Sequence, residues 1–146
     1  MKIAIGCDPN AQEAKAKLID YIKEKRLGDV TDFGSSDVIY AHVAIEVALG
    51  VADKRYDRGI LLCGTGIGMC IAANKVKGAY AALVSDSYSA KRAVLSNDAN
   101  ILCLGAFTIG DKVREELTEI FLKYVYSKHS NSEVKVEAYK QYDTER

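Results

Sequence analysis

The strongest chemical signal is a cysteine closing an apolar run, Gly59-Ile60-Leu61-Leu62-Cys63, followed at once by Gly64-Thr65-Gly66-Ile67-Gly68. Alternate glycines permit positive φ and close backbone approach. Successive amide hydrogens in such a turn, leading into a helix N-terminus, form a nest for anionic oxygen. A thiol beside such donors has its thiolate favoured. The segment therefore reads as a reactive sulfur facing an oxyanion cradle; a tight β-α turn with a buried thiol is the plainer alternative. The dinucleotide fingerprint places its last glycine one residue further on, and a P-loop would carry a lysine here. Asp8 could accept from ligand hydroxyls, or cap the turn before Pro9-Asn10.

These groups need a scaffold that brings strand ends together. Ile3-Ala4-Ile5-Gly6-Cys7, Asp29–Phe33, Gly59–Cys63, Ala79–Val84 and Ile101–Leu104 read as strands. Between them lie helical faces: Ala14, Leu18, Tyr21 and Ile22 within Gln12–Glu24; Val43, Val47 and Val51; Ile71–Lys75; and Tyr88–Leu95. Val113, Leu117, Ile120, Phe121 and Tyr124 form an amphipathic stripe, and Val134–Tyr142 a weaker terminal helix. The β-α alternation predicts an α/β fold, a five-stranded parallel sheet covered on both faces. In such sheets ligands bind at the carboxyl ends of the strands. Asp8, the Cys63–Gly68 turn and Ser85-Asp86 fall there, while Ser96-Asn97-Asp98 precede the fifth strand. Residues 1–126 form the predicted domain. Ser127–Ser132 tethers a helical extension over 127–146, expected to pack on a partner subunit.

The chain has 146 residues, 49% hydrophobic and 27% charged, with twenty acidic and twenty basic side chains. That length is one domain, able to bury roughly 70% of its unfolded surface. Zero net charge gives no basis for binding nucleic acid or an anionic membrane, so any anion site must be local. No apolar run reaches membrane-spanning length and no signal peptide opens the chain, which sets a cytoplasmic expectation. Cys7, Cys63, Cys70 and Cys103 form no CxxC pair, and His42 and His129 stand far from them, so neither a metal site nor a disulfide framework is expected.

Cys63-Gly64-Thr65-Gly66-Ile67-Gly68 with Ala72-Ala73-Asn74-Lys75-Val76 resembles the type B ribose-5-phosphate isomerase and galactose-6-phosphate isomerase family. So do Lys2–Asp8, Asp32-Phe33-Gly34, Tyr56–Leu61, Asp86–Ala90, Asn97–Asn100 and Leu104-Gly105-Ala106. The resemblance implies a Rossmann-like α/β/α sandwich and a homodimer or dimer of dimers. It also implies no metal or other cofactor, and a phosphorylated sugar as substrate. The reaction would be aldose–ketose isomerisation, a proton moving between C1 and C2 through a cis-enediolate. By position, Cys63 would be the base and Thr65 would assist proton movement between oxygens. Gly64, Gly66, Ile67 and Gly68 would hold the enediolate oxygen through backbone amides, and Asp8 and Tyr40 would contact substrate. Asn97 would enter a neighbouring subunit's site.

The family pattern breaks at four places. Pro9 stands where a phosphate-holding histidine is usual, Ser96 where a ring-opening histidine is usual, and Phe107 where an arginine is usual. The C-terminal phosphate arginines are absent, with Lys128 and His129 near their place, and Lys91 and Arg92 as other available cations. A tetrose 4-phosphate has its ring-closing oxygen capped by phosphate and needs no ring-opening acid. Tyr40-Ala41, Ser89–Ala93 and Leu95-Ser96-Asn97 are also similar to the erythrulose-4-phosphate branch. The expectation is therefore an isomerase of erythrulose 4-phosphate and erythrose 4-phosphate. The alternatives are ribose 5-phosphate as main substrate, a non-catalytic subunit of a heteromeric isomerase, and a flavodoxin-like nucleotide- or flavin-binding module.

Overall fold

Three apolar strands make the middle of the molecule: β1 (Lys2–Cys7), β3 (Arg58–Cys63) and β5 (Ile101–Gly105). Beyond its first residue each is buried along its length, as a strand covered on both faces must be. The shorter β2 (Asp29–Asp32) and β4 (Ala81–Leu83) lie at the two edges. The sheet order is β2-β1-β3-β5-β4, with every pairing parallel. The computed structural model describes all of residues 1–146.

Alternation along the strands divides the core. Ile60 and Leu62 face α1 (Gln12–Glu24), α4 (Ser87–Leu95) and α5 (Asp111–Lys123), packing with Leu18, Ile22, Val94 and Phe121. Leu61 and Cys63 face α2 (Tyr40–Ala52) and α3 (Ile67–Ala73), packing with Val47, Met69 and Cys103. From β1 the chain moves outward to β2, and from β3 it moves the other way. The direction of winding reverses between β1 and β3, which opens a crevice at their carboxyl ends.

Three local readings are revised. β4 covers only Ala81–Leu83, because side chains hold its approach: Asn100 Oδ1 accepts from Tyr80 N–H at 2.7 Å and its Nδ2 donates to Gly78 O at 2.9 Å. α3 ends at Ala73, so Lys75 lies beyond it. Asn74 follows as a bracket, donating to Ala81 O at 2.9 Å and accepting from Ala81 N–H at 2.8 Å. On α5, Val113 is 37% exposed, and Arg114 turns into the buried face that holds Leu117 and Phe121.

The terminal helix α6 (Glu133–Glu145) lies on its own chain rather than projecting from it. Val136 is buried, and the Tyr139 ring packs tilted against Tyr80, centroids 5.3 Å apart. Asp143 Oδ2 accepts from Gly78 N–H at 2.7 Å and from the Tyr80 hydroxyl at 3.1 Å. No helix is long and apolar enough to cross a membrane.

Candidate active site

The crevice between β1 and β3 is walled by the cysteine turn. Cys63 is the last residue of β3, and its sulfur, with the residue 6% exposed, accepts from Gly66 N–H at 3.1 Å. Gly66 caps α3 with φ at +80°, a left-handed conformation that glycine adopts without steric cost. That conformation lets the chain reverse sharply enough to aim its own amide back at the sulfur. Thr65 is exposed at the rim, where its Oγ1 accepts from Ile67 N–H at 3.3 Å. The turn and the amides of α3's first turn thus present donors beside a thiol, an arrangement able to hold an anionic oxygen while the sulfur takes or returns a proton.

Neighbouring elements close in around it. The Tyr40 ring packs directly on the Gly68 backbone, 2.5 Å from where a Cβ would be. Tyr40, the first residue of α2, is thereby laid across the start of α3. Phe107 covers the other side, with its ring atoms 3.0 Å from where a Gly64 Cβ would be, yet the residue is 73% exposed. The loop carrying Phe107 runs alongside the turn: Ala106 N–H donates to Cys63 O at 2.8 Å and Phe107 N–H to Gly64 O at 2.9 Å.

Asp8 follows β1 on the opposite wall, its amide bonded to Leu62 O at 3.3 Å. Its buried carboxylate accepts from the amide and side-chain nitrogens of Asn10 at 3.0 and 3.3 Å, capping a short 3-10 turn over Pro9–Ala11. The capping reading of Asp8 therefore holds, and its place beside the crevice holds with it.

Asn97, Lys128 and His129 are not brought to Cys63. Cys63 pairs with Gly105 at the carboxyl end of β5, whereas Asn97 precedes its amino end, where Gly59 pairs with Ile101. Four strand steps, about 13 Å, separate those ends. Ser127, next to Lys128, is tied to Leu95 at the same distant end. His129 is held there by Glu133, which accepts its backbone amide at 3.1 Å. α6 fixes the Asn97 loop, with the Tyr139 hydroxyl donating to Asn97 O and Lys140 paired to Asp98. Ser96 Oγ accepts from Arg92 Nε at 2.7 Å, and Lys91 lies 5.0 Å over the Tyr124 ring.

Two buried cations near the crevice were not among the expected residues. Lys15, 3% exposed, donates to Asp32 Oδ1 and to Gly34 O, and ties β2's end to α1. Arg114, 6% exposed, holds the carbonyls of the Phe107 loop. Each had a signal in the sequence: 15-18-22 and 114-117-121 place a charge on an apolar helical face. The other thiols differ from Cys63 in setting. Burial pushes Cys7 up to about 11, with Lys15 pulling the other way. A hydrogen bond from Cys103 brings Cys70 down to about 7 against the opposing effect of burial. Cys103, fully enclosed and facing Cys70, is raised well above the ordinary thiol range.

Known proteins share this fold and much of this sequence. The sequence pattern of the family described as Ribose/Galactose Isomerase matches residues 3–138. A Listeria innocua protein named ribose-5-P isomerase B is 48% identical over 146 residues, spanning 98% of this chain and 97% of its own. A D-erythrulose-4-phosphate isomerase of Pectobacterium atrosepticum is 45% identical over 126 residues, 84% of this chain and 82% of that one. The structure of Trypanosoma brucei type B ribose 5-phosphate isomerase superposes with a TM-score of 0.90 at 38% identity, covering 97% of both chains. A crevice at the winding reversal, a glycine turn folded onto a thiol and likeness along nearly the whole chain converge: the chain belongs to the ribose/galactose isomerase family and is a sugar-phosphate isomerase.

Proposed function

We propose that the chain interconverts the ketose and aldose forms of a four-carbon phosphosugar, erythrulose 4-phosphate and erythrose 4-phosphate, with Cys63 as the base. The observation that carries the reading is the Gly66 amide on the Cys63 sulfur at 3.1 Å, at the mouth of the β1–β3 crevice. Cys63 removes a proton from the carbon beside the carbonyl and returns it to the neighbouring carbon. The amides of Gly64, Gly66, Ile67 and Gly68 hold the enediolate oxygen. Thr65 passes a proton between the two oxygens, and Asp8 and Tyr40 hold the substrate's hydroxyls. A placed base contributes about 10²–10⁴-fold, and one oxyanion donor about 10²–10³-fold more.

The four-carbon preference rests on Ser96, Pro9 and Phe107, which replace the ring-opening and phosphate-holding groups usual in the family, and on the likeness to the Pectobacterium enzyme. Asn97, with Lys128 and His129 as phosphate-side cations, acts in the site of a second copy, because its own Cys63 lies at the other end of the sheet. The longer likeness to the Listeria protein favours ribose 5-phosphate as the second reading.

The test is kcat/KM for both substrates, on the wild type and on Cys63→Ala. Preference for D-erythrulose 4-phosphate and a loss of at least about 10² in the variant are expected. A clear preference for ribose 5-phosphate overturns the substrate assignment. Near-normal turnover by Cys63→Ala overturns the base.

A further inference from the structure

Arg114 sits nine residues beyond the end of β5, on the inward face of α5, and its hydrogen bonds go to the Gly105–Ile109 loop and Asp111 rather than to Cys63. Its guanidinium is nevertheless buried and aimed at one target. Nη1 donates to Gly105 O and Ala106 O, each at 3.2 Å, and to Ile109 O, while Nη2 pairs with Asp111 Oδ1. Three carbonyls of one loop converge on one planar cation. A carbonyl that accepts from a charged donor is held more firmly than one facing water or a neutral partner.

The loop so gathered has amides on its other side that reach the cysteine turn. Ala106 N–H and Phe107 N–H bind Cys63 O and Gly64 O. Gly105 lies so close to the turn that a Cβ there would come within 2.9 Å of Thr65 O. The backbone carbonyls of Cys63 and Gly64 thus have fixed partners, and their direction sets where the Cys63 sulfur and the Gly66 amide stand.

We infer that Arg114 is a positioning residue for the isomerisation: by clamping the Gly105–Ile109 loop from below, it holds the Cys63–Gly66 turn in its reactive geometry. The inference rests on the assignment of Cys63 as base. It adds that the alignment of the turn is maintained from α5, through a loop whose opposite face carries Phe107 over the crevice.

Arg114→Met and Arg114→Lys are compared with wild type by circular dichroism, steady-state kinetics and amide hydrogen exchange at Ala106 and Phe107. In Arg114→Met, kcat should fall about 10–100-fold with KM changed less than about threefold, since a displacement near 1 Å can cost that much. Exchange at the two amides should rise at least tenfold. Arg114→Lys, which keeps the cation and three donors, should recover a substantial part of kcat. A purely structural residue would lower the melting temperature and leave kcat of the folded fraction unchanged. Wild-type kcat in a folded Arg114→Met overturns the inference, whether or not the amides exchange faster.

Should Arg114→Met fail to fold, Asp111→Asn decides the matter. It keeps the guanidinium and removes its carboxylate partner, and is expected to lower kcat several-fold at constant KM; an unchanged kcat overturns the inference. Near-normal activity of Cys63→Ala would instead remove the base assignment. Loop exchange and the kcat of the Arg114 variants remain separately readable in that event.

Discussion

Replacing Gly66 by alanine tests the core of the site with a single methyl group. The residue sits at φ +80°, a conformation that costs an L-residue about 1–2 kcal/mol. The new Cβ would stand 2.7 Å from Leu83 Cδ1, 2.9 Å from the Leu104 carbonyl carbon and 3.0 Å from its oxygen. The leucine methyl can rotate away, but the Leu104 backbone belongs to β5 and is paired with Leu62 of β3. Forcing extra volume into a packed region typically adds about 1–3 kcal/mol. The sum, about 2–5 kcal/mol, is a large part of the ~5–15 kcal/mol that stabilises a domain. The same displacement carries the Gly66 amide off the Cys63 sulfur, and the loss of one such donor corresponds to about 10²–10³ in kcat. Urea unfolding followed by circular dichroism gives the first quantity, and initial rates well below the unfolding midpoint give the second. Gly68→Ala is the control. Its Cβ would meet the Tyr40 ring, a side chain that can swing aside, so it should unfold near the wild-type midpoint while KM rises. A Gly66→Ala protein with wild-type midpoint and turnover would refute both the strain and the donor argument.

Two further outcomes follow from the thiols and from α6. Brief treatment with iodoacetamide at pH 7–8, mapped by mass spectrometry, should modify Cys70 well before Cys7 and Cys103. Cys70 is half-buried with a thiol brought down to about 7, whereas burial raises Cys7 to about 11, and the Cys70 hydrogen bond together with burial raises Cys103 well above the ordinary thiol range. Equal labelling of Cys70 and Cys103 would contradict this. Asp143 is held below the usual carboxylate range: burial opposes ionisation, but the Gly78 amide, Arg146 and Tyr80 together outweigh it. Its contribution to docking α6 is therefore complete above the ordinary carboxylate pKa and is lost as pH falls through the lowered value. Asp143→Asn should mimic that acid state at neutral pH and speed proteolysis near residues 127–132; unchanged cleavage would show that α6 is held by other contacts.

How much could be read beforehand depended on how local each feature is. β1, β3 and β5 were legible because strands buried on both faces are continuous apolar runs. α1 was legible to the residue from the spacing of Ala14, Leu18 and Ile22. Sheet order was not legible, since nothing in a strand's own composition says that β5 inserts between β3 and β4. β4 was read too long because the Tyr80 amide is taken by the Asn100 side chain, a long-range contact that the apolar run does not reveal. Within the site, the cysteine turn is contiguous and declared itself. Tyr40 and Asn97 came only through family resemblance, and the fold brings one to Gly68 and carries the other to the far end of the sheet. Arg114 and Lys15 were not singled out in the sequence. Their periodic match to buried neighbours was a weak pattern beside the strong expectation that Lys and Arg face water.

Asn74 does more than end α3. Ile101 N–H donates to Tyr80 O, so Ala81 turns its own amide and carbonyl away from β5, toward the open side of the sheet. The Asn74 amide takes both. The Cys70 thiol also donates to Ala81 O at 3.4 Å. An edge strand normally offers a row of free donors and acceptors to any extended chain that drifts past, which is how sheets fuse into aggregates. Here two side chains from the helix that follows the reactive turn already occupy that row. The segment that opens with the cysteine turn thus covers the Ala81 backbone of the edge strand at its other end. A protein synthesised in a crowded cell is spared edge-to-edge association along β4 without placing a charge or a proline there.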